Sequence, residues 1–115
     1  MEFFSAYVRG FARVAACTHR TVLADPVANG ESVLRIAAEC HDGGVAVAVF
    51  PELTLTGYSI EDILLQDSLL DAVETSLADV VAGSTGLLPV LVVGAPLRHL
   101  HRIYTTAVVI HRGAL

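Results

Sequence analysis

Residues 45–58, Val-Ala-Val-Ala-Val-Phe-Pro-Glu-Leu-Thr-Leu-Thr-Gly-Tyr, place a carboxylate directly after a continuous apolar run. The run has no polar residue on either face, which predicts a central β-strand covered on both sides. Pro51 cannot donate to a β-ladder, so the strand is predicted to end before Glu52. Open α/β sheets bind their ligands beyond the carboxyl ends of their strands. Glu52 is therefore the first candidate for a functional residue.

Strand and helix signals alternate along the chain. Short apolar runs bounded by turn residues predict strands, and apolar residues at helical spacing predict helices. The resulting order is β-α-β-loop-α-β-β, which is typical of an α/β layer architecture. The strands are predicted over residues 13–18, 45–50, 88–93 and 104–110.

Both helices are predicted from one apolar face each. For the first helix, Asn29 is predicted as the N-cap, and Asp25-Pro26 is assigned to the preceding loop. For the second helix, Ser68 and Asp71 have capping-box spacing, with Asp in place of the usual Glu. Glycines are predicted to end both helices. The face residues and terminating glycines are Val33, Ile36, Ala37, Cys40 and Gly43 in the first helix, and Leu70, Val73, Leu77, Val80 and Gly83 in the second.

The composition is apolar for a chain of 115 residues: 54% of them are hydrophobic, 17% are charged, and the mean hydropathy is +0.63. Globular domains usually carry about 25% charged residues. The high share of hydrophobic residues and the low share of charged ones predict that apolar faces of this chain pack against further protein. The net charge is -5 and all seven cations are Arg, which argues against nucleic acid as a partner. No apolar run reaches the roughly 18 residues of a membrane span, so a cytoplasmic location is predicted.

No metal or redox site is predicted. Cys17 and Cys40 form neither a CxxC motif nor a disulfide framework, and we expect buried, reduced thiols. His99 and His101 could share one strand face, but no third ligand accompanies them. Zinc sites use about three or four protein ligands, so these histidines are expected to be solvated residues of a turn.

Glu52 alone supports two interpretations. It lies between the apolar residues Phe50 and Leu53, and burial there would suit a general base that works near neutral pH. A single carboxylate after a strand is also what an ordinary solvated loop provides. From spacing alone, the solvated loop is the more economical interpretation.

The residues around Glu52 carry a family resemblance. A strand that ends in Phe50-Pro51-Glu52 and continues as Leu-Thr-Leu-Thr-Gly-Tyr resembles the first catalytic segment of the carbon–nitrogen hydrolase (nitrilase) superfamily. More narrowly, residues 57–66 resemble the glutaminase domains of glutamine-dependent NAD⁺ synthetases of the actinobacterial, mycobacterial type. Residues 1–115 are therefore predicted to be an N-terminal fragment of such a domain, a partial α-β-β-α sandwich with about four strands and two main helices. The resemblance extends to residues 11–18, 90–97 and 103–110.

The resemblance implies a definite chemistry. Members of the family use a Glu-Lys-Cys set, in which the Cys attacks the side-chain amide of glutamine and releases ammonia. The ammonia passes to a synthetase domain that uses ATP and Mg²⁺ to amidate nicotinic acid adenine dinucleotide to NAD⁺. Glu52 is predicted to be the general base of the set, and Tyr58 is predicted to line the glutamine pocket. The implied partners are glutamine, the remainder of the polypeptide and further copies of the protein in a homo-oligomer.

The chain also departs from the family pattern. It contains no Lys, and neither Cys17 nor Cys40 matches the family nucleophile, which lies on a later strand. These 115 residues alone are therefore expected to be inactive. Thr105 stands where relatives commonly have Asn, which leaves a structural hydrogen bond in doubt. Two alternatives stay open: a nitrilase-type amidase that acts on another small amide, and a non-catalytic remnant or association module.

Overall fold

The computed structural model describes residues 7–115, which form one four-stranded sheet with helices on one face. Strands β1 to β3 run parallel in the spatial order β1-β2-β3, and β4 pairs with β3 antiparallel through a tight hairpin. The predicted α/β class is confirmed, and each predicted strand is present. The strands are β1, Val14–Ala16; β2, Val47–Val49; β3, Val90–His99; and β4, Arg102–Ile110.

Two helices, α1 (Pro26–Asp42) and α2 (Asp67–Gly83), cover one face of the sheet and pack on each other. At Gly30 of α1 an added Cβ would clash with the hydroxyl of Ser76 on α2, so the two helices are in close contact there. Neither helix is long and apolar enough to cross a membrane, and this holds for all of residues 7–115. The predicted apolar faces are confirmed by burial, with Val33, Ala37 and Cys40 buried on α1 and Leu70, Val73, Leu77 and Val80 buried on α2.

Helix α1 begins earlier than its sequence pattern predicts. Asp25 is the N-cap, and its carboxylate accepts from the backbone N–H three residues on at 3.1 Å. Pro26 takes the first helical position, where its fixed φ suits a helix and its missing N–H costs nothing. The prediction of Asn29 as N-cap is wrong. Its side chain is fully buried and bonds to the backbone of Val22 and Leu55.

Helix α2 also begins differently from the prediction. It starts at Asp67, and the side chain of the N-cap residue Gln66 makes no capping hydrogen bond. The predicted capping box of Ser68 and Asp71 is wrong, because the Asp71 carboxylate bonds to Arg98 of β3 at 2.5 Å. The Asp71 carboxylate therefore pairs with the guanidinium of Arg98 on β3 and not with a backbone N–H at the start of its own helix.

The two faces of the sheet differ in exposure. On the helix face Ala48 is fully buried, whereas on the other face Val49 is 44% exposed and Val109 is 52% exposed. The prediction that β2 is covered on both sides is therefore wrong within residues 7–115. We call the uncovered side, which carries Val49, Val92, Ala107 and Val109, the open face.

Candidate active site

Glu52 lies where the sequence pattern predicts, just after the end of β2. The last ladder bond of this segment runs from the Phe50 N–H to the Val92 carbonyl at 2.9 Å. The chain then turns sharply at Leu53, whose φ of 51° is in the left-handed region. The Gly57 N–H closes this turn on the Leu53 carbonyl at 2.8 Å. The carboxylate is thus presented at the carboxyl end of a central parallel strand.

The loop that carries Glu52 is tied to strand β3. The Leu55 N–H donates to the Gly94 carbonyl at 3.2 Å, and the Gly94 N–H donates to the Thr54 hydroxyl oxygen at 3.1 Å. Thr54 is 1% exposed, and its hydroxyl donates in turn to the Pro51 carbonyl. Every buried hydroxyl and amide in this contact therefore has a partner, as buried polar groups require.

Gly94 allows this close approach because it has no side chain. An added Cβ would lie 2.6 Å from the Leu53 nitrogen and 2.9 Å from the Glu52 carbonyl carbon. It would lie closer still to the Pro51 carbonyl oxygen. The backbone of the Glu52 loop therefore rests directly on the backbone of β3.

Both oxygens of the Glu52 carboxylate accept hydrogen bonds. The Tyr58 hydroxyl donates to Oε2, and the Thr105 hydroxyl donates to Oε1 at 3.2 Å. The hydrogen bond to the Glu52 carboxylate raises the pKa of the Tyr58 phenol. Ionisation of the phenol would break this bond and leave two negative charges side by side. Glu52 is exposed, so of the two interpretations of its surroundings the solvated loop applies and the buried one does not. The carboxylate is held in place by hydrogen bonds instead.

A cavity of about 330 Å³ opens beside Glu52 on the open face of the sheet. Its walls are mainly apolar, with the Glu52 carboxylate and the Thr105 hydroxyl as polar groups. Tyr58 contacts the carboxylate but does not line this cavity, so its predicted role in a glutamine pocket stays a prediction. The lining residues are Val49, Phe50, Pro51, Glu52, Val92, Gly94, Thr105, Thr106 and Ala107.

Sequence reasoning missed the contributions of Gly94 and Thr54. It marked Thr105 only as the position of a doubtful structural hydrogen bond, and it did not predict that the Thr105 hydroxyl bonds to Glu52. Thr105 lies 53 positions from Glu52 and reaches it only because the β3–β4 hairpin pairs it with Pro96. Two apolar segments separated by a short turn could have indicated this hairpin, and hence the side of the sheet on which Thr105 lies. No local signal marks Gly94, since a Gly inside a strand has many explanations.

The two cysteines lie away from Glu52. Cys17 follows β1 and Cys40 is in the last turn of α1, with their sulfur atoms 3.8 Å apart in the core. Burial, followed by the contact with Cys40, raises the pKa of the Cys17 thiol to about 11. A thiol of this kind stays protonated at neutral pH, and neither cysteine lines the cavity beside Glu52.

A second, larger cavity of about 380 Å³ lies beside the β3–β4 turn. Its Arg98 is already paired with three carboxylates, those of Asp67, Asp71 and Glu74. His99 and His101 are exposed there, as predicted. Within residues 7–115, no three His, Cys, Asp or Glu side chains are grouped closely enough to hold a metal ion. The smaller cavity is the candidate active site, because it combines a carboxylate with apolar walls at a strand end.

Proteins similar to this chain are found both by sequence and by structure. Residues 13–115 match the carbon–nitrogen hydrolase family. The chain is 72% identical over all 115 residues to the glutamine-dependent NAD(+) synthetase of Mycobacterium tuberculosis (strain ATCC 25618 / H37Rv) and spans 17% of that protein's length. A glutamine-dependent NAD(+) synthetase structure from Cytophaga hutchinsonii superposes with a TM-score of 0.81 at 22% identity, over 90% of this chain and 17% of that one. An amidase from Nesterenkonia sp. superposes at 0.71 and 22% identity, over 90% and 39%.

Proposed function

Because the chain belongs to the carbon–nitrogen hydrolase family, we propose that it forms the N-terminal portion of the glutamine amidohydrolase domain of a glutamine-dependent NAD⁺ synthetase. The observation that carries the proposal is the 72% identity with a mycobacterial enzyme of that name, in a match that extends over all 115 residues of the chain. The likeness to the Nesterenkonia amidase concerns the fold alone, since the two chains share 22% identity.

In this proposal Glu52 is the general base. Its carboxylate takes the proton of a cysteine thiol supplied by a later segment of the polypeptide, and the sulfur attacks the side-chain amide carbon of glutamine. The proton then passes to the leaving nitrogen, which departs as ammonia and leaves a glutamyl thioester. Glu52 next takes a proton from water, whose oxygen attacks the thioester carbon and releases glutamate and the thiol. A later segment also supplies the lysine that stabilises the oxyanions.

The geometry beside Glu52 supports this role. A general base must lie within hydrogen-bond reach of the proton that it removes and must keep one orientation. Here the carboxylate projects from a loop that rests on β3, and both of its oxygens are held. The adjacent cavity of about 330 Å³ lies at the lower end of the size range of ligand sites.

The proposal assigns the remaining functions outside these 115 residues. Ammonia from this domain amidates nicotinic acid adenine dinucleotide in a synthetase domain, which holds ATP and Mg²⁺. The complete protein is a cytoplasmic homo-oligomer that takes glutamine as its nitrogen donor.

Substitution of Glu52 in the complete protein tests the proposal. We expect Glu52→Gln to abolish glutamate release and glutamine-supported NAD⁺ formation, while NAD⁺ formation from ammonium salts persists. Glu61→Gln, a change of an exposed acid in the same loop, is the matched control and should leave both activities unchanged.

Three results would contradict parts of this assignment. Full glutamine-supported activity in Glu52→Gln would show that Glu52 is not the base. Absence of NAD⁺ formation from either nitrogen donor in the unaltered protein would exclude the synthetase. Hydrolysis of other small amides without NAD⁺ formation would favour the amidase alternative.

A further inference from the structure

We propose that Thr105 is a positioning residue that fixes the orientation of the Glu52 carboxylate; this inference rests on the proposed function. Thr105 lies on β4 and lines the same cavity as Glu52. Its hydroxyl donates to Oε1 of Glu52 at 3.2 Å. This is the contact through which β4 reaches the candidate base.

The two hydrogen bonds to Glu52 come from supports of different rigidity. The Tyr58 side chain, which holds Oε2, is 64% exposed and projects from a loop. Thr105 lies on a strand that is paired with β3 along its full length, in register with Pro96. A β-branched side chain also has few χ1 rotamers to choose from. Thr105 is therefore the rigid support of the carboxylate.

The bond from Thr105 leaves Glu52 free to act as a base. A carboxylate oxygen has lone pairs for more than one hydrogen bond, so Oε1 can accept from Thr105 and still meet a second proton. Without this bond, the Glu52 side chain can rotate about its terminal torsion, which has broad energy wells. The fraction of time in which an oxygen faces the nucleophile then falls, although the substrate pocket is unaltered.

This role predicts a fall in turnover without a change in substrate binding. In the complete protein, we expect Thr105→Val to lower kcat for glutamine hydrolysis about tenfold, with KM within about twofold of its original value. Thr105→Ser, which retains the hydroxyl, should stay within about threefold of the original kcat. Thr105→Asn, which offers an amide N–H at similar reach, should restore most of the loss.

The neighbouring Tyr104 provides a control on the same strand. Successive side chains of a strand point to opposite faces, and Tyr104, which is 45% exposed, does not line the cavity beside Glu52. Tyr104→Phe removes a hydroxyl from the same strand and should leave kcat for glutamine nearly unchanged. Ammonium-supported NAD⁺ formation reports whether each variant is folded. If Thr105→Val fails that check, the comparison of Thr105→Ser with Thr105→Ala replaces it.

The outcomes separate this inference from the proposed function. If Glu52→Gln abolishes glutamine hydrolysis but Thr105→Val keeps the original kcat, the positioning role is refuted and the function stands. Equal losses in Thr105→Val and Tyr104→Phe would also refute it, because they would indicate a general effect on β4. If Glu52→Gln retains glutamine hydrolysis, the proposed function itself fails.

Discussion

Replacement of Gly94 by Ala should displace the candidate base. The added Cβ would lie 2.6 Å from the Leu53 nitrogen, whereas an ordinary contact needs about 3.4 Å. The Pro51 carbonyl oxygen would be closer still, and it and the Leu53 nitrogen are both backbone atoms. No flexible side chain can therefore move aside, and the Glu52 loop must shift by at least about 0.8 Å. A misplacement of about 1 Å at a reacting group costs about 100-fold in rate. The forced packing should also cost about 1–3 kcal/mol of stability.

Glutamate release from glutamine by the complete protein is the assay for this prediction. We expect Gly94→Ala to lower kcat about 100-fold while ammonium-supported NAD⁺ formation persists. Gly86→Ala is the matched control, because a Cβ at Gly86 meets nothing within 4 Å. Gly94 and Gly86 both lie outside the left-handed region, so Ala costs neither of them backbone strain. An unchanged kcat in Gly94→Ala would refute the conclusion that direct backbone contact with β3 sets the position of Glu52.

Two further substitutions test the packing of the core. Asn29→Ala should lower the free energy of unfolding by about 2–4 kcal/mol in chemical denaturation, because it leaves backbone groups of Val22 and Leu55 without their hydrogen-bond partners. Glu31→Ala, at an exposed position of α1, is the control, and an equally small loss in both variants would contradict this prediction. The pKa of Cys17 is raised to about 11, above its ordinary value of 9.0, so its contribution is complete below pH 9 and is lost as the pH rises to 11. Between pH 9 and pH 11 we expect the free energy of unfolding of the native protein to fall more steeply than that of Cys17→Ser, and parallel pH profiles would refute the assignment.

The sequence predicted those features that depend on local patterns. The buried residues of α1 and α2, such as Val33 and Val73, follow from helical spacing, and the position of Glu52 follows from an apolar run ended by Pro51. Features that depend on distant partners were missed. Asn29 resembles an N-cap in sequence, but its buried side-chain amide donates to the Leu55 carbonyl in the loop after β2.

Other missed features have the same physical cause. Asp71 has the spacing of a capping residue, but it turns to Arg98, which lies 27 positions away. Thr105 reaches Glu52 across 53 positions, and only the folded hairpin brings the two side chains together. Propensity and spacing describe neighbours in the chain, whereas these contacts are set by tertiary packing.

The buried amide of Asn29 has a consequence for motion. It bonds to Val22 before α1 and to Leu55 in the Glu52 loop, and the Ala24 N–H also donates to the Thr56 carbonyl at 2.9 Å. These bonds join the first turn of α1 and the Glu52 loop into one cooperative unit, so that neither can open without the other. The loop is therefore poorly suited to act as a gate. Movement near Glu52 is left to exposed side chains such as Tyr58, whose ring must first break its hydrogen bond to the Glu52 carboxylate.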